Sequence, residues 1–474
     1  MNHQRVPMWC HAGFSRQFMR AMTVSLILFG VFIFATPDTF AMRKPNIIFI
    51  LADDLGYGDL GSYGQKKIKT PHLDRMAAGG MRFTQFYSGS TVCAPSRAAL
   101  MTGLHTGHTY IRGNGDIPLR PGDLTVAEIL KSSGYATAVI GKWGLGTEET
   151  TGRPDRKGFD ESFGFLHHRH AHRQYTDHLW KNAVKFPVDA ERDFVNDLFT
   201  EASLDFIARN KSRPFFLYLA YTNPHAEIRV PEDSLKEYTG KFPETPFVNL
   251  KADQHPSQGY RSQATPRAAF AAMVTRMDKD VGRILEHLKQ LGLDEETIVF
   301  FTSDNGPHKE GGADPEFFDS NGGLRGIKRD LYDGGIRVPM IVRWPGTIKA
   351  GRTSEQMWAM WDFLPTAAAI AGAKSPKNID GISMLPALQG KRQRSHDYLY
   401  WEFFERGFQQ AIRMNNWKAV RLAPERLLEL YDLTKDTSET ENVADRHPKV
   451  VAEMEKILSG ARTESEKWPA RGSF

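Results

Sequence analysis

Ile47-Ile48-Phe49-Ile50-Leu51-Ala52-Asp53-Asp54 decides the architecture of this chain. Six apolar residues in a row suit a strand buried on both faces, as inside a parallel sheet, and two carboxylates follow at once. The design recurs. Thr125-Val126-Ala127-Glu128 reads as a capping box opening a helix that Gly134 closes; the strand Tyr135 to Ile140 then delivers Gly141-Lys142. Phe215 to Tyr221 delivers Asn223-Pro224-His225. Thr265-Pro266 opens a helix running to about Gln290, and after Gly292 the strand Thr297 to Thr302 delivers Asp304-Asn305-Gly306. Strands alternating with helices imply an α/β protein with a mostly parallel central sheet flanked by helices. Ligands in such sheets bind beyond the carboxyl ends of the strands. Four strands place polar residues at that edge, so the pattern points to a site.

Beyond about Lys374 the segments shorten: Tyr398 to Phe403, Gln410 to Arg413, Trp417 to Leu422 and Leu428 to Leu433. They predict a small antiparallel sheet with a closing helix from about Pro448 to Ser465. A chain of 474 residues suits one large domain and a smaller one. We place a catalytic domain at 42–375 and a C-terminal α+β subdomain at 376–474.

Residues 1–41 read as a secretory signal: Arg5, Arg16 and Arg20 precede the apolar run Met22 to Phe34, and Thr39-Phe40-Ala41 offers a cleavage site. The run is shorter than the ~20 residues of a spanning helix. The expectation is an exported protein of the periplasm or the medium, cleaved after about Ala41, with no stable membrane insertion afterwards. Removing these residues, with three Arg and one Asp, lowers the net charge from +5 to +3. That is too mild a balance for a nucleic-acid partner. Cys10 lies in the same segment, so the exported chain carries one thiol, Cys93, with no partner for a disulfide.

Cys93 opens the run Cys93-Ala94-Pro95-Ser96-Arg97-Ala98-Ala99-Leu100-Met101-Thr102-Gly103. Pro95 fits the first turn of a helix, which sets residue 93 near a helix N-terminus, where free amides and the dipole favour an anion. Arg97 stands one turn along on the same face. Asp53, Asp54, Asp304 and Asn305 offer only oxygen ligands, the preference of calcium or magnesium rather than zinc.

Cys-x-Pro-x-Arg resembles the sequence that maturation enzymes read when they convert cysteine to formylglycine, and the chain resembles type I sulfatases. Within these it is similar to the bacterial N-acetylgalactosamine-6-sulfatase-like and sulfated-galactan enzymes. The resemblance implies the alkaline-phosphatase-like fold and a formylglycine made from Cys93 by a formylglycine-generating enzyme, a transient partner. It implies a cation, calcium in preference to magnesium, on Asp53, Asp54, Asp304, Asn305 and residue 93. The hydrated aldehyde would attack sulfur with one hydroxyl and, through the other, release sulfate without water attacking sulfur. Arg97 would hold the modified side chain, Lys142 and Lys328 would neutralise sulfate oxygens, and His225 would protonate the departing oxygen.

The substrate implied is a sulfated oligosaccharide or polysaccharide carrying galactose or N-acetylgalactosamine, with Arg112, His170 and His172 as candidate sugar contacts. One departure stands out. Many sulfatases carry Gly-Lys-Trp-His-Leu-Gly, whereas this chain has Gly144 in place of the histidine. That histidine is assigned to the release of sulfate; either another group serves, with His105 and His108 as candidates, or breakdown of the intermediate is slow. Two other readings are a phosphonate or phosphate ester hydrolase and a catalytically impaired carbohydrate-binding relative.

Overall fold

The structure, a computed structural model, describes residues 44–470. The expected signal segment and Cys10 lie outside them. Its strands are β1 (Asn46–Asp53), β2 (Met81–Phe83), β3 (Phe86–Tyr87), β4 (Ala136–Lys142), β5 (Glu161–Phe165), β6 (His178–Lys181), β7 (Val184–Pro187) and β8 (Phe215–Pro224). After them come β9 (Thr297–Ser303), β10 (Met340–Arg343), β11 (Arg352–Ser354), β12 (Trp358–Ala359), β13 (Leu399–Phe403), β14 (Gln409–Met414), β15 (Trp417–Arg421) and β16 (Glu429–Asp432). Ten strands make the main sheet in the order β11-β2-β10-β9-β1-β8-β4-β5-β6-β7. The centre, β9-β1-β8-β4-β5, is parallel throughout. The flanks turn antiparallel at β10 and at the β5-β6-β7 meander.

The continuous apolar run of β1 now has its cause. Successive side chains point to opposite faces of a sheet. Ile48, Ile50 and Ala52 enter one core, with the helices Val195–Arg209 and Pro266–Gln290. Ile47, Phe49 and Leu51 enter the other, with the helices Cys93–Thr102, Val126–Ser132 and Phe363–Ile370. Helices cover both faces, so no position on β1 meets water and every residue of it is buried. The capping box forms as expected: Thr125 Oγ1 accepts from the Glu128 amide (3.2 Å), and the Thr125 amide donates to Glu128 Oε2 (2.8 Å).

The four strands β13 to β16 form a separate antiparallel sheet. One face packs Tyr400, Ile412 and Leu430 against Met454 and Leu458 of the helix Pro448–Gly460. The other presses Leu399, Trp401 and Val420 on Tyr87, Val92, Ala99 and Trp361. The closing helix stops at Gly460, short of Ser465, because the chain turns back there: Thr463 donates its amide to Gly107 O (3.0 Å), and Arg462 reaches Glu402 (3.0 Å). Among the described residues no helix is long and apolar enough to cross a membrane.

At the carboxyl edge β8 carries extra residues: Leu51 pairs with Ala220, yet Asp53 pairs with Pro224. This bulge returns His225 to the side of Asp53 and Asp54. Gly141 turns Lys142 at the same edge with φ +107°, and a Cβ there would lie 1.9 Å from Ala220 O. Gly141→Ala should destabilise the fold by about 3 kcal/mol or more, measured by denaturant unfolding. Gly134→Ala, whose added methyl meets nothing within 4 Å, should lose less.

Candidate active site

Cys93 is the first residue of its helix, after extended Val92. Two side chains fix this end: Asn114 Oδ1 accepts the Ala94 amide (3.0 Å), and Ser96 Oγ donates to Asp304 O (2.5 Å). The Cys93 thiol lies 3.5 Å from Asp53 Oδ1 and is 3% exposed. Arg97 grips Asp304 Oδ2 through Nε (3.0 Å) and Nη2 (2.7 Å), with Nη2 also 3.6 Å from Asp53 Oδ1. Its Nη1 donates to Lys142 O (2.7 Å).

Each remaining carboxylate meets its own ammonium. Lys142 Nζ lies 2.6 Å from Asp53 Oδ2, and Lys328 Nζ lies 2.8 Å from Asp54 Oδ2. Lys328 also faces His225 Nε2 at 3.1 Å. The other ring nitrogen of His225 lies 2.5 Å from Ala226 O, so Nδ1 carries the proton and Nε2 accepts from Lys328. Asn305 donates through Nδ2 to Asp54 Oδ1 (2.7 Å) and Gly306 O (2.9 Å). Six residue types read from the sequence thus meet in one buried cluster.

Burial raises the Asp53 carboxyl, but Lys142, His225 and Arg97 outweigh it and hold it well below the carboxylate range. Asp54 behaves alike: burial raises it, and Lys328, His308 and Lys142 prevail in lowering it. Asp304 goes the other way. Burial and the charge of Asp53 push it up to about 7 against the pull of Arg97. Burial drives the Cys93 thiol up, so it is no thiolate nucleophile as it stands. Burial and Lys328 hold His225 neutral.

Asn305 Oδ1 is buried and has no hydrogen-bond partner. A buried acceptor left open beside three carboxylates is what a hard cation would complete. Asp53, Asp54, Asp304 and Asn305 therefore fit a calcium or magnesium ion, and their all-oxygen donor set argues against a softer metal.

The sugar candidates separate. His172 stacks on His225 with ring centroids 4.4 Å apart, and so borders the cluster. His170 points elsewhere: its Nε2 bonds Thr176 Oγ1 (2.8 Å) and its ring packs on His178. Arg112 is a correction. It is 2% exposed, with its guanidinium spent on Glu402 (2.8 Å), Thr109 O and Thr463, which anchors the C-terminal segment and leaves nothing for a sugar.

His105 and His108 are a second correction. They pair with Asp380 beyond the far end of the ten-residue helix, about 15 Å along its axis from residue 93. The histidine beside Gly144 is His168: a Cβ on Gly144 would lie 3.7 Å from His168 Cβ and 4.0 Å from Arg97 Cδ. His168 was not singled out by its sequence, and neither were His308 and Glu310. These two lie with Asp54 in a cluster of ligating groups just after Asp304-Asn305-Gly306, the one signal that could have found them.

The sulfatase family model matches residues 45–373, and a model described as N-sulphoglucosamine sulphohydrolase, C-terminal, matches 326–464. The chain belongs to the sulfatase family, and it is a sulfuric ester hydrolase with the alkaline-phosphatase-like fold. It is 34% identical to human N-acetylgalactosamine-6-sulfatase over 393 residues, 76% of this chain and 69% of that protein. It is 29% identical to an N-acetylgalactosamine-6-O-sulfatase of Bacteroides thetaiotaomicron over 89% of this chain and 94% of that one. Among solved structures it is similar to Ps i-CgsB in complex with k-i-k-neocarrahexaose, with TM-score 0.74 and 28% identity, covering 90% of this chain and 95% of that one.

Adding Ca2+ to chelator-stripped protein should raise the melting temperature, and Asn305→Ala should remove most of that gain. Calorimetric Ca2+ affinity should rise from pH 6 to pH 8. Asp304, protonated below about 7, must lose that proton before it can bind the ion.

Proposed function

We propose that the protein removes sulfate from a galactose or N-acetylgalactosamine unit of a sulfated oligosaccharide or polysaccharide, with residue 93 as the nucleophile in its formylglycine form. The observation that carries this reading is the setting of Cys93: a helix N-terminus facing Arg97, Lys142 and Lys328, all buried. Such a pocket suits a tetrahedral anion, because charges held away from water act on it more strongly than they would in solvent. The relatives named above act on sulfated amino sugars, and the structural neighbour was crystallised with a carrageenan-type oligosaccharide.

Formylglycine supplies, as its hydrate, one hydroxyl to attack sulfur and a second to let sulfate go. The chain's own groups do the rest. Lys142 and Lys328 meet the sulfate oxygens as charge builds on them. Arg97, held by Asp304, fixes the side chain of residue 93. Lys328 donates to His225 Nε2, and this pair holds the proton that the departing sugar oxygen needs. Asp53, Asp54, Asp304 and Asn305 would hold calcium or magnesium, which would supply Lewis-acid polarisation at this edge of the pocket.

We also propose export by the segment 1–41, activation by a formylglycine-generating enzyme, and division near residues 375/376. The test is sulfate release from sulfated galactose, N-acetylgalactosamine and carrageenan oligosaccharides. Wild type should release sulfate and Cys93→Ala none, with His225→Ala lowering kcat about 10²–10⁴-fold. Phosphate release from phosphonate or phosphate esters, with no sulfate release from any sugar, would overturn this reading.

A further inference from the structure

Gly144 does more than lack an imidazole. A cavity of about 290 Å³ opens beside it, bounded by Asp116, Ile117, Thr147, Leu166 and His168. Gly144 is the wall between this cavity and Arg97, since any side chain there would approach both His168 and Arg97. It sits at φ +75°, a conformation that suits glycine. The opening is therefore built into the backbone.

The chemistry of the lining is specific. His168 is 7% exposed, and its imidazole makes no hydrogen bond among the described residues, only ring contacts with His167 and His172. With neither nitrogen partnered, this imidazole on the cavity wall is free to bond a ligand or water. At the rim, Asp116 Oδ1 takes a 2.6 Å bond from His167 Nε2, which holds the carboxylate ionised. Its side chain is two-thirds exposed, so the second oxygen stays open. Ile117 and Leu166 supply an apolar wall. No lysine or arginine lines the cavity.

We propose that this cavity is a subsite for a neutral, unsulfated sugar residue next to the sulfated one. Asp116 and His168 bond its hydroxyls, and Ile117 and Leu166 carry its C–H face. Pockets that fix small polar ligands combine apolar walls with a few placed polar groups in this way. A second sulfate is disfavoured, because the open oxygen of Asp116 repels it and the cavity lining holds no lysine or arginine to receive it. The inference rests on the sulfated-sugar reading above and adds the neighbouring unit to it.

The test takes the sulfated monosaccharide that works best in the release panel. It is compared with the same unit extended by one unsulfated galactose at either end, and with the disulfated version of that disaccharide. In wild type, one extension should raise kcat/KM about tenfold, as two net hydrogen bonds would. Asp116→Ala should bring the disaccharide-to-monosaccharide ratio near one, His168→Ala should lower it too, and Asp116→Asn should keep part of it. Matching melting curves establish that the variants fold. A ratio near one in wild type, an unchanged ratio in both alanine variants, or preference for the disulfated sugar would each overturn the subsite while leaving the sulfatase reading intact. Failure of wild type on every sulfated sugar would overturn both.

Discussion

Three carboxylates crowd the carboxyl edge of a parallel sheet, and the rest of the site is arranged to make that tolerable. Asp53 ends one strand with Asp54 just after it, and Asp304 follows the strand beside it. All three are fully buried. Unpaired burial would cost several kcal/mol for each ion. The answer is three buried cations from three other segments: Arg97 on Asp304, Lys142 on Asp53, Lys328 on Asp54. Carboxylates and cations are thus matched three to three. A divalent ion on the oxygen side would leave the pocket positive, and a sulfate monoester is the kind of anion such a pocket then draws in.

The same logic, one layer out, binds the small sheet to the large one. Lys418 of β15 is buried between Asp333 (3.0 Å) and Glu439 (3.1 Å). Asp333 also receives the hydroxyl of Tyr87 (3.1 Å). Trp401 of β13 donates its indole N–H to Ser88 O (2.9 Å). These contacts grip the chain at residues 87 and 88, just before the helix that begins at Cys93. The small sheet therefore holds the approach to residue 93 in place.

The central strands were legible because burial on both faces leaves an unmistakable apolar run, as in β1, β8 and β9. The edge strands were not. Met81–Phe83 and Arg352–Ser354 are three residues each, and their place is set by partners far along the chain. The cluster was legible by residue type, since oxygen ligands, a cysteine motif and paired lysines announce anion chemistry. Its pairings were not: Arg97 and Asp304 are 207 residues apart. Arg112 shows the converse error. Following the cysteine motif, it looked free to bind a sugar, and only the fold reveals Glu402, 290 residues later, as its partner.

Gly144 raises the question of whether this site has decayed into a binding pocket, and the energetics answer it. A site relieved of catalysis has no use for three buried carboxylates around an unpartnered Asn305 oxygen, an arrangement that apolar residues of like volume would match or better in stability. Here each charge is still opposed by its own partner at 2.6–2.8 Å, and the nucleophile position still heads its helix. Gly144 itself lies in a turn at φ +75°, which disfavours an ordinary side chain, with His168 beside it. The ionic centre around residue 93 is whole, and Gly144 alters the wall beside it.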